Sequence, residues 1–385
     1  MLGLVSFFND LASDMVIPLI PLLLATDLMV GPIVLGLIEG VADALSSFMK
    51  LWSGRYSDRL GGRRKGLALT GYAISNVVRP FFGAVTGWIG LLLLRSIDRF
   101  GKGIRSAPRD AMVADVTPPE LRSVAFGFHR ALDNAGAVGG ALVAAAILAW
   151  SALSLRDVIM WSAVPGVMGV FLLWWLVKEP PTVVRPVALV PSLKWSGLSR
   201  TLRHYLLVLA GFTFARVSET FIVLFGHNLG LSVVSLLVLW AMLNLAKSLA
   251  SWWGGKAALR LGKERVMAIS WIAYAATFVA LSLTQTAPIL WIVTLVYGIF
   301  AGLGEGVERA VIGDFAAPTE RGTAYGWYNM MIGLSAIPAG VLFGGVWQFF
   351  GASYAFLLAG LVAAISAFVL HIYLAPNLKL AAKLD

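Results

Sequence analysis

The sequence predicts an all-α polytopic membrane protein in which twelve transmembrane helices form two pseudo-symmetric six-helix bundles. Of the 385 residues, 59% are hydrophobic and 13% are charged, and the mean hydropathy is +0.82. This composition exceeds what the core of a soluble protein requires. Apolar runs recur at membrane-spanning length, and the second half of the chain repeats motifs of the first.

A membrane-spanning helix needs about 20 mostly apolar residues. The predicted spans are residues 4–25, 33–54, 66–86, 88–109, 123–147, 157–177, 205–226, 233–254, 265–284, 291–311, 323–345 and 353–374. A connector that contains prolines and basic residues follows the sixth span. The predicted domains are an N-terminal bundle at 1–177, a cytoplasmic linker at 178–204, and a C-terminal bundle at 205–385 that ends in a short tail.

Basic residues cluster between the predicted spans and indicate the orientation of the chain. With both termini in the cytoplasm, the clusters at 55–65, 178–203 and 256–265 lie inside, and the opposite side has only Arg156. This clustering argues against nucleic acid as a partner despite the net charge of +10. We therefore predict a monomeric, multi-pass protein of the cytoplasmic membrane, surrounded by the lipid bilayer.

The stretch RSIDRFGKGIRSAPRD at 95–110 has a charge every three or four residues, which places its charges on one face of a helix. If this stretch were a loop, only three spans would separate the basic loops at 55–65 and 178–203, and those loops would lie on opposite sides. We therefore predict that it is the inner half of the fourth span. Its charges must then face protein or a water-filled cavity.

An internal repeat appears when the chain is compared with itself at an offset of about 200 residues. DVTPPELRSVAFGF at 115–128 aligns with DFAAPTERGTAYGW at 314–327, and GRYSDRLGGRRK from Gly54 aligns with GKAALRLGKER from Gly255. The chain is therefore predicted to be two six-helix repeats.

The segment from Gly54 resembles the signature of the major facilitator superfamily between its second and third helices. It supplies Asp58, Arg59 and Arg63, with Gly62 as an inserted residue. The fourth span and GFHRALDNAGAVGG at 127–140 are similar to a prokaryotic permease subgroup without a settled substrate. The resemblance implies the twelve-helix fold of that superfamily and secondary transport by alternating access, with export slightly favoured. It also implies that Asp58 is a conformational latch near the start of the eleventh helix.

Transport requires a polar site near the midplane and a group whose charge can change there. Asp14 lies near the middle of the first span, and the repeat aligns it with Glu219, since LASDMVI at 11–17 matches RVSETFI at 216–222. A low-dielectric site favours the neutral form of a carboxylate, so both residues are candidates for proton coupling. Alternatively, each carboxylate is permanently paired with a nearby arginine and only holds helices together; Arg216 lies one turn before Glu219.

Other polar residues of the predicted spans are candidates for lining a substrate cavity. They are Arg95, Asp98, Arg99, Lys102, Arg130, Asp133, Arg216, Asn244, Tyr297 and Glu305. The excess of basic residues in the fourth span would raise the local concentration of an anion. We therefore expect a small organic solute that is anionic or zwitterionic.

Near the cytoplasmic ends of the fourth and tenth spans, the repeat aligns Arg109 with Glu308 and Asp110 with Arg309, so the charges are exchanged between the halves. Two reciprocal salt bridges between these helix ends would form an inner gate. Pairing of each residue within its own half is the alternative.

The sequence excludes several other classes of protein. It has no cysteine and no nucleotide-binding loop, and its four histidines do not cluster. We expect neither an enzyme nor a bound cofactor or metal, and we expect protons to be the coupling ion. Two alternatives stay open: a carrier of iron or iron chelates that uses Asp14 and Glu219 as oxygen ligands, and a non-transporting membrane scaffold or receptor.

Overall fold

The computed structural model describes residues 1–59, 64–118, 121–179, 195–315 and 321–381. Every regular element in these ranges is helical. The α-helices are α1 (Leu2–Asp14), α2 (Ile20–Leu22), α3 (Pro32–Arg59), α4 (Lys65–Val78), α5 (Trp88–Asp115), α6 (Arg122–Trp150), α7 (Leu155–Trp161), α8 (Ala163–Leu176), α9 (Arg200–Thr213), α10 (Thr220–Asn228), α11 (Val233–Leu261), α12 (Lys263–Ser282), α13 (Ala287–Phe315), α14 (Arg321–Phe350) and α15 (Ala352–Ala381).

Each of the twelve predicted spans corresponds to one helical segment, so the predicted fold class is confirmed. Nine of these described segments are long and apolar enough to cross a membrane by length and composition. The others are α4 with its 3₁₀ extension Arg79–Ala84, α5, and the pair α9 and α10. Breaks in the helix shorten α4 and the pair α9 and α10. The helix α5 is long enough, but its charged residues lower its mean hydropathy.

Several spans predicted as continuous helices are interrupted; the sixth divides into α7 and α8 at Ser162, and the first and the seventh are broken over more residues. The first is α-helical only to Asp14, and Pro18 and Pro21 then leave short 3₁₀, α and π turns as far as Asp27. A proline inside a helix removes one hydrogen bond and clashes with the preceding turn. The seventh span breaks between α9 and α10, where the Thr220 backbone N–H donates to the Ser218 hydroxyl at 3.4 Å and so competes with regular helical bonding.

The chain forms two compact units. The first contains Met1–Gly31, Val41–Val190 and Gly230–Asn244, and the second contains Pro32–Gly40, Pro191–Leu229 and Leu245–Asp385. Most of the predicted linker at 178–204 lies outside the described residues.

In the first unit, α1 packs on α6 and α8, and α4 packs on α5. The approach of α4 to α5 depends on two glycines. A Cβ atom on Gly71 would lie 2.6 Å from the Gly101 oxygen, and a Cβ on Gly101 would lie 2.7 Å from the Gly71 oxygen. Small residues allow such close contact, on which helix association in a bilayer depends.

In the second unit, α12 packs on α13 and α15, and α14 packs on α9 and α15. The first turns of α3, Pro32–Gly40, also belong to this unit and contact α14. A Cβ on Gly36 would lie 1.9 Å from the Gly340 oxygen, and a Cβ on Gly340 would lie 2.2 Å from the Gly36 oxygen. The two backbones are therefore in direct contact.

The charged stripe at 95–110 is part of the continuous helix α5, as predicted. Its residues Arg95, Asp98, Arg99 and Arg105 are buried. Asp98 lies within ion-pair distance of Arg95 and Arg99, and its backbone carbonyl accepts from the Ser75 hydroxyl of α4 at 2.8 Å. The stripe therefore faces the interior of the first unit.

Candidate functional site

Asp14 is the last residue of α1 and is buried at the break in the first span. Its Oδ1 accepts a hydrogen bond of 2.9 Å from the indole Nε1 of Trp240, which lies on α11. Among the described residues, no lysine or arginine forms an ion pair with Asp14. Asp10, Lys102 and Arg99 are the charged groups that act on it from a distance. Asp14 therefore has a neutral hydrogen-bond donor and no adjacent counter-ion.

Glu219 lies immediately before α10, at the break in the seventh span. Its Oε1 accepts hydrogen bonds from the ammonium of Lys247 at 2.7 Å and from the hydroxyl of Tyr297 at 3.0 Å. The two carboxylates that the repeat aligns therefore differ: Glu219 is paired with a cation and Asp14 is not. The predicted neighbour of Glu219, Arg216, pairs elsewhere.

Asp98 is the centre of a buried ionic network in the first unit. Its Oδ1 accepts from Arg79 Nη2 at 3.0 Å, and its Oδ2 lies 3.4 Å from Arg95 Nη1 and 4.0 Å from Arg99 Nε. Arg79 also donates to the Asn76 side chain at 3.0 Å. Because one carboxylate faces three guanidinium groups, this network is positively charged.

The stripe continues along α5 with cations that have fewer counter-ions. Arg105 is buried, and its guanidinium carbon lies 4.3 Å from the centre of the Tyr72 ring. It forms no ion pair within the described ranges. Lys102 is half-buried, and its ammonium makes no hydrogen bond or ion pair with any residue that the structure describes. Among the cations of the stripe, Arg99, Lys102 and Arg105 therefore have the least neutralisation by nearby carboxylates.

Arg109 belongs to a polar cluster formed by α1, α5 and α6. It pairs with Asp110 at 2.8 Å, lies 3.8 Å from Asp133 Oδ2, and donates to the Ser6 hydroxyl at 3.0 Å. Nε2 of His129 lies 3.6 Å from Asp133 Oδ1. The substrate-cavity candidate Asp133 and the gate candidates Arg109 and Asp110 therefore meet in one cluster.

Glu308 is buried in the second unit and pairs with Arg216. It also accepts a 3.0 Å hydrogen bond from the Trp271 indole, and the Trp271 ring stacks on Phe212 at 3.9 Å. Arg109 and Glu308 thus have partners within their own units. Their predicted pairing with each other, and that of Asp110 with Arg309, stays a prediction.

Replacing Trp271 with phenylalanine tests how much the hydrogen bond from the indole to Glu308 contributes to stability. A hydrogen bond to a charged group contributes about 1.5–3 kcal/mol, so Trp271→Phe is expected to lower the free energy of unfolding by about that much more than a matched change. Trp347→Phe is the matched change, since Trp347 is also buried and packs on Phe221 and Phe343. Denaturation of the purified protein measures both variants, and equal losses would contradict the assignment.

The remaining predicted residues differ in exposure and in their contacts. Arg130, Glu305 and Arg309 are exposed, and the Asn244 amide donates to the Trp240 carbonyl of its own helix at 3.0 Å. Arg63 lies outside the described residues, as do the side chains of Asp58 and Arg59. The structure therefore leaves the predicted latch undescribed.

Among the residues of these clusters that sequence reasoning missed are Arg79, Lys247, His129 and Trp271. Lys247 could have been found, because an ionisable residue inside a predicted span is unusual. His129 precedes Asp133 by four residues and therefore shares its helix face. The indole donor Trp271 has no local signal, because its acceptor is distant in sequence. No group of three or more metal-ligating side chains occurs in the part of the chain that the structure describes.

The family model of the Major Facilitator Superfamily matches residues 2–256 and 220–383 of the chain. The chain belongs to the Major Facilitator Superfamily. An uncharacterized MFS-type transporter of Methanocaldococcus jannaschii is 27% identical over 376 residues, which cover 96% of this chain and 93% of that protein. The resemblance in the sequence is thus confirmed, and the superfamily relationship indicates a transporter rather than an enzyme.

Two solved structures illustrate the fold within the superfamily. The Escherichia coli xylose transporter XylE in an inward-open conformation matches with a TM-score of 0.76 and 14% identity, covering 97% of this chain and 95% of XylE. The human organic anion transporter MFSD10 matches with a TM-score of 0.71 and 19% identity, covering 96% and 97%. One is named for a sugar and the other for organic anions, so the shared fold does not identify a substrate.

Proposed function

We propose that the chain is a proton-coupled secondary transporter that moves a small organic anion or zwitterion across the cytoplasmic membrane by alternating access, with export as the favoured direction. The observation that carries the substrate class is the stripe on α5. Arg99, Lys102 and Arg105 provide positive charge at membrane depth, and the Lys102 ammonium has no hydrogen-bond or ion-pair partner among the described residues. A positive site with low-dielectric walls concentrates anions.

The different partners of the two repeat-related carboxylates support Asp14 as the proton carrier. Trp240 gives Asp14 a hydrogen bond but no charge, so the carboxyl group can lose or gain a proton without breaking an ion pair. Glu219 accepts a 2.7 Å hydrogen bond from the Lys247 ammonium, so a change in its charge would break an ion pair. Asp14 is therefore assigned to coupling, and Glu219 to holding Lys247 and Tyr297.

The proposal is tested in two steps. Purified protein is first screened for thermal stabilisation by organic anions, zwitterions, sugars and metal chelates. Each stabilising solute is then tested for flux into and out of liposomes, with and without a pH gradient. Stabilisation by anions and flux that responds to the gradient are the expected results; if no stabilising solute is moved, the scaffold or receptor alternative is favoured.

Asp14→Asn is expected to abolish the response of flux to a pH gradient, because the side chain can no longer bind or release a proton. Exchange of labelled for unlabelled solute, which needs no net proton movement, should continue. Asp43→Asn is the matched control, since Asp43 is an exposed carboxylate of α3 without a hydrogen bond or ion pair to any described residue. Gradient-driven flux that survives Asp14→Asn would remove the coupling assignment.

A further inference from the structure

A groove of about 510 Å³ lies on the outside of the first unit, between α4 and α8. Val77, Pro80 and Phe81 line one wall, and Val167, Phe171 and Trp174 line the other. The side chains of Val77, Val167 and Trp174 are each at least 60% exposed. In a membrane protein, an exposed apolar wall of this kind faces the acyl chains of the lipid.

The length of the groove fits one acyl chain. From Ala163 to Trp174, α8 rises by about 16 Å at 1.5 Å per residue. Half of a hydrocarbon core is about 15 Å thick. The groove therefore extends over about one leaflet.

One end of the groove carries a positive charge. The ammonium of Lys65, at the start of α4, donates a 2.9 Å hydrogen bond to the carbonyl oxygen of Trp174. Lys65 forms no ion pair with the residues that the structure describes. The carboxylate of Glu179 accepts instead from the backbone N–H groups of Arg64 and Lys65, at 2.6 and 3.1 Å. The Arg64 side chain is paired with Asp115, so Lys65 provides the available cation.

The floor of the groove connects to the ionic network of Asp98. Asn76 lines the groove and is buried, and its side chain accepts from Arg79 at 3.0 Å and donates to Asn9 at 3.2 Å. Arg79 is the residue that donates to Asp98 at 3.0 Å. A molecule that occupies the groove therefore contacts Asn76, which holds the arginine that pairs with Asp98.

We propose that this groove binds one anionic phospholipid, with an acyl chain between α4 and α8 and the phosphate against Lys65. The apolar walls select an acyl chain, and the ammonium at the end of the groove selects an anionic headgroup over a zwitterionic one. A basic residue near an anionic membrane surface contributes about 1 kcal/mol, which is about a fivefold preference. This site is separate from the proposed transport function and does not depend on it.

The test is native mass spectrometry of the purified full chain with dioleoyl phosphatidylglycerol or dioleoyl phosphatidylcholine. The expected result is about fivefold tighter retention of phosphatidylglycerol than of phosphatidylcholine. Lys65→Gln should remove this preference while leaving weak binding of both lipids. Val167→Trp should fill the groove and reduce the retention of both.

Two matched variants complete the test. Lys256→Gln removes an exposed cation that lies 5.0 Å from the Trp252 ring, and Ile292→Trp enlarges a side chain that is 64% exposed, close to the 63% of Val167. Neither should alter lipid retention. Equal retention of the two lipids by the parent protein would overturn the proposal, as would losses in Lys256→Gln or Ile292→Trp as large as those in the groove variants.

Discussion

Asp98→Asn is expected to lower the free energy of unfolding by about 3–5 kcal/mol, because it leaves buried guanidinium groups without their counter-ion. The Asp98 side chain is 2% exposed, and those of Arg79 and Arg95 are 3% and 1% exposed. Water therefore cannot replace the lost negative charge. Denaturation of the purified protein, compared with Asp43→Asn as the exposed control for the same chemical change, measures the effect.

A double-mutant cycle separates this ionic effect from a general intolerance of α5 to substitution. If Asp98 acts by neutralising Arg79, then Arg79→Met combined with Asp98→Asn should cost less than the sum of the two single changes, since residues in one network are not additive. A strictly additive cycle would show that the two residues contribute independently. Stability of Asp98→Asn equal to that of Asp43→Asn would contradict the network itself.

Gly36→Ala is expected to displace the first turns of α3 from α14. The added Cβ would lie 1.9 Å from the backbone oxygen of Gly340, and a backbone atom cannot rotate away as a side chain can. Overpacking costs about 1–3 kcal/mol in typical cores, and we expect a loss at or above the upper end of that range. Gly340→Ala should have the same effect, because its Cβ would meet the Gly36 oxygen at 2.2 Å.

The chain contains no cysteine, so this displacement can be measured by labelling a single introduced one. Leu35 is 1% exposed, and Leu35→Cys should therefore react slowly with a maleimide in the parent protein and faster when Gly36→Ala is added. Gly306→Ala is the control, because no atom lies within 4 Å of the position of its Cβ. Unchanged labelling and unchanged stability in Gly36→Ala would show that α3 and α14 can separate slightly without consequence.

Local patterns predicted the segments but not their interruptions. The length and spacing of apolar runs predicted most of them, because the thickness of a bilayer dictates the length of a span. The stripe of α5 has the composition of a surface helix. It was nevertheless predicted to lie in the membrane, because the number of spans must leave both flanking basic loops on the same side. The break after Asp14 has a signal in Pro18 and Pro21, whereas the break before Glu219 contains no proline and depends on its surroundings.

The repeat also indicated which residues are equivalent, but it misled about their surroundings. It aligned Asp14 with Glu219 and placed Arg216 close to Glu219 in sequence. In the folded chain Arg216 pairs with Glu308, which is 92 residues away, and Glu219 accepts from Lys247. Equivalent positions in two repeats share a backbone location, and the side chains around them diverge independently.

The sequence by itself determined that the chain crosses the membrane, that its halves are related, and that its polar residues at membrane depth are candidates for transport. These properties follow from composition and periodicity, which are local. Only the tertiary structure decided which partner each charge has. The hydrogen bond from Trp240 to Asp14 joins residues 226 positions apart, and that from Trp271 to Glu308 joins residues 37 apart. Such contacts depend on which helix faces pack together, and no local pattern in the chain specifies that.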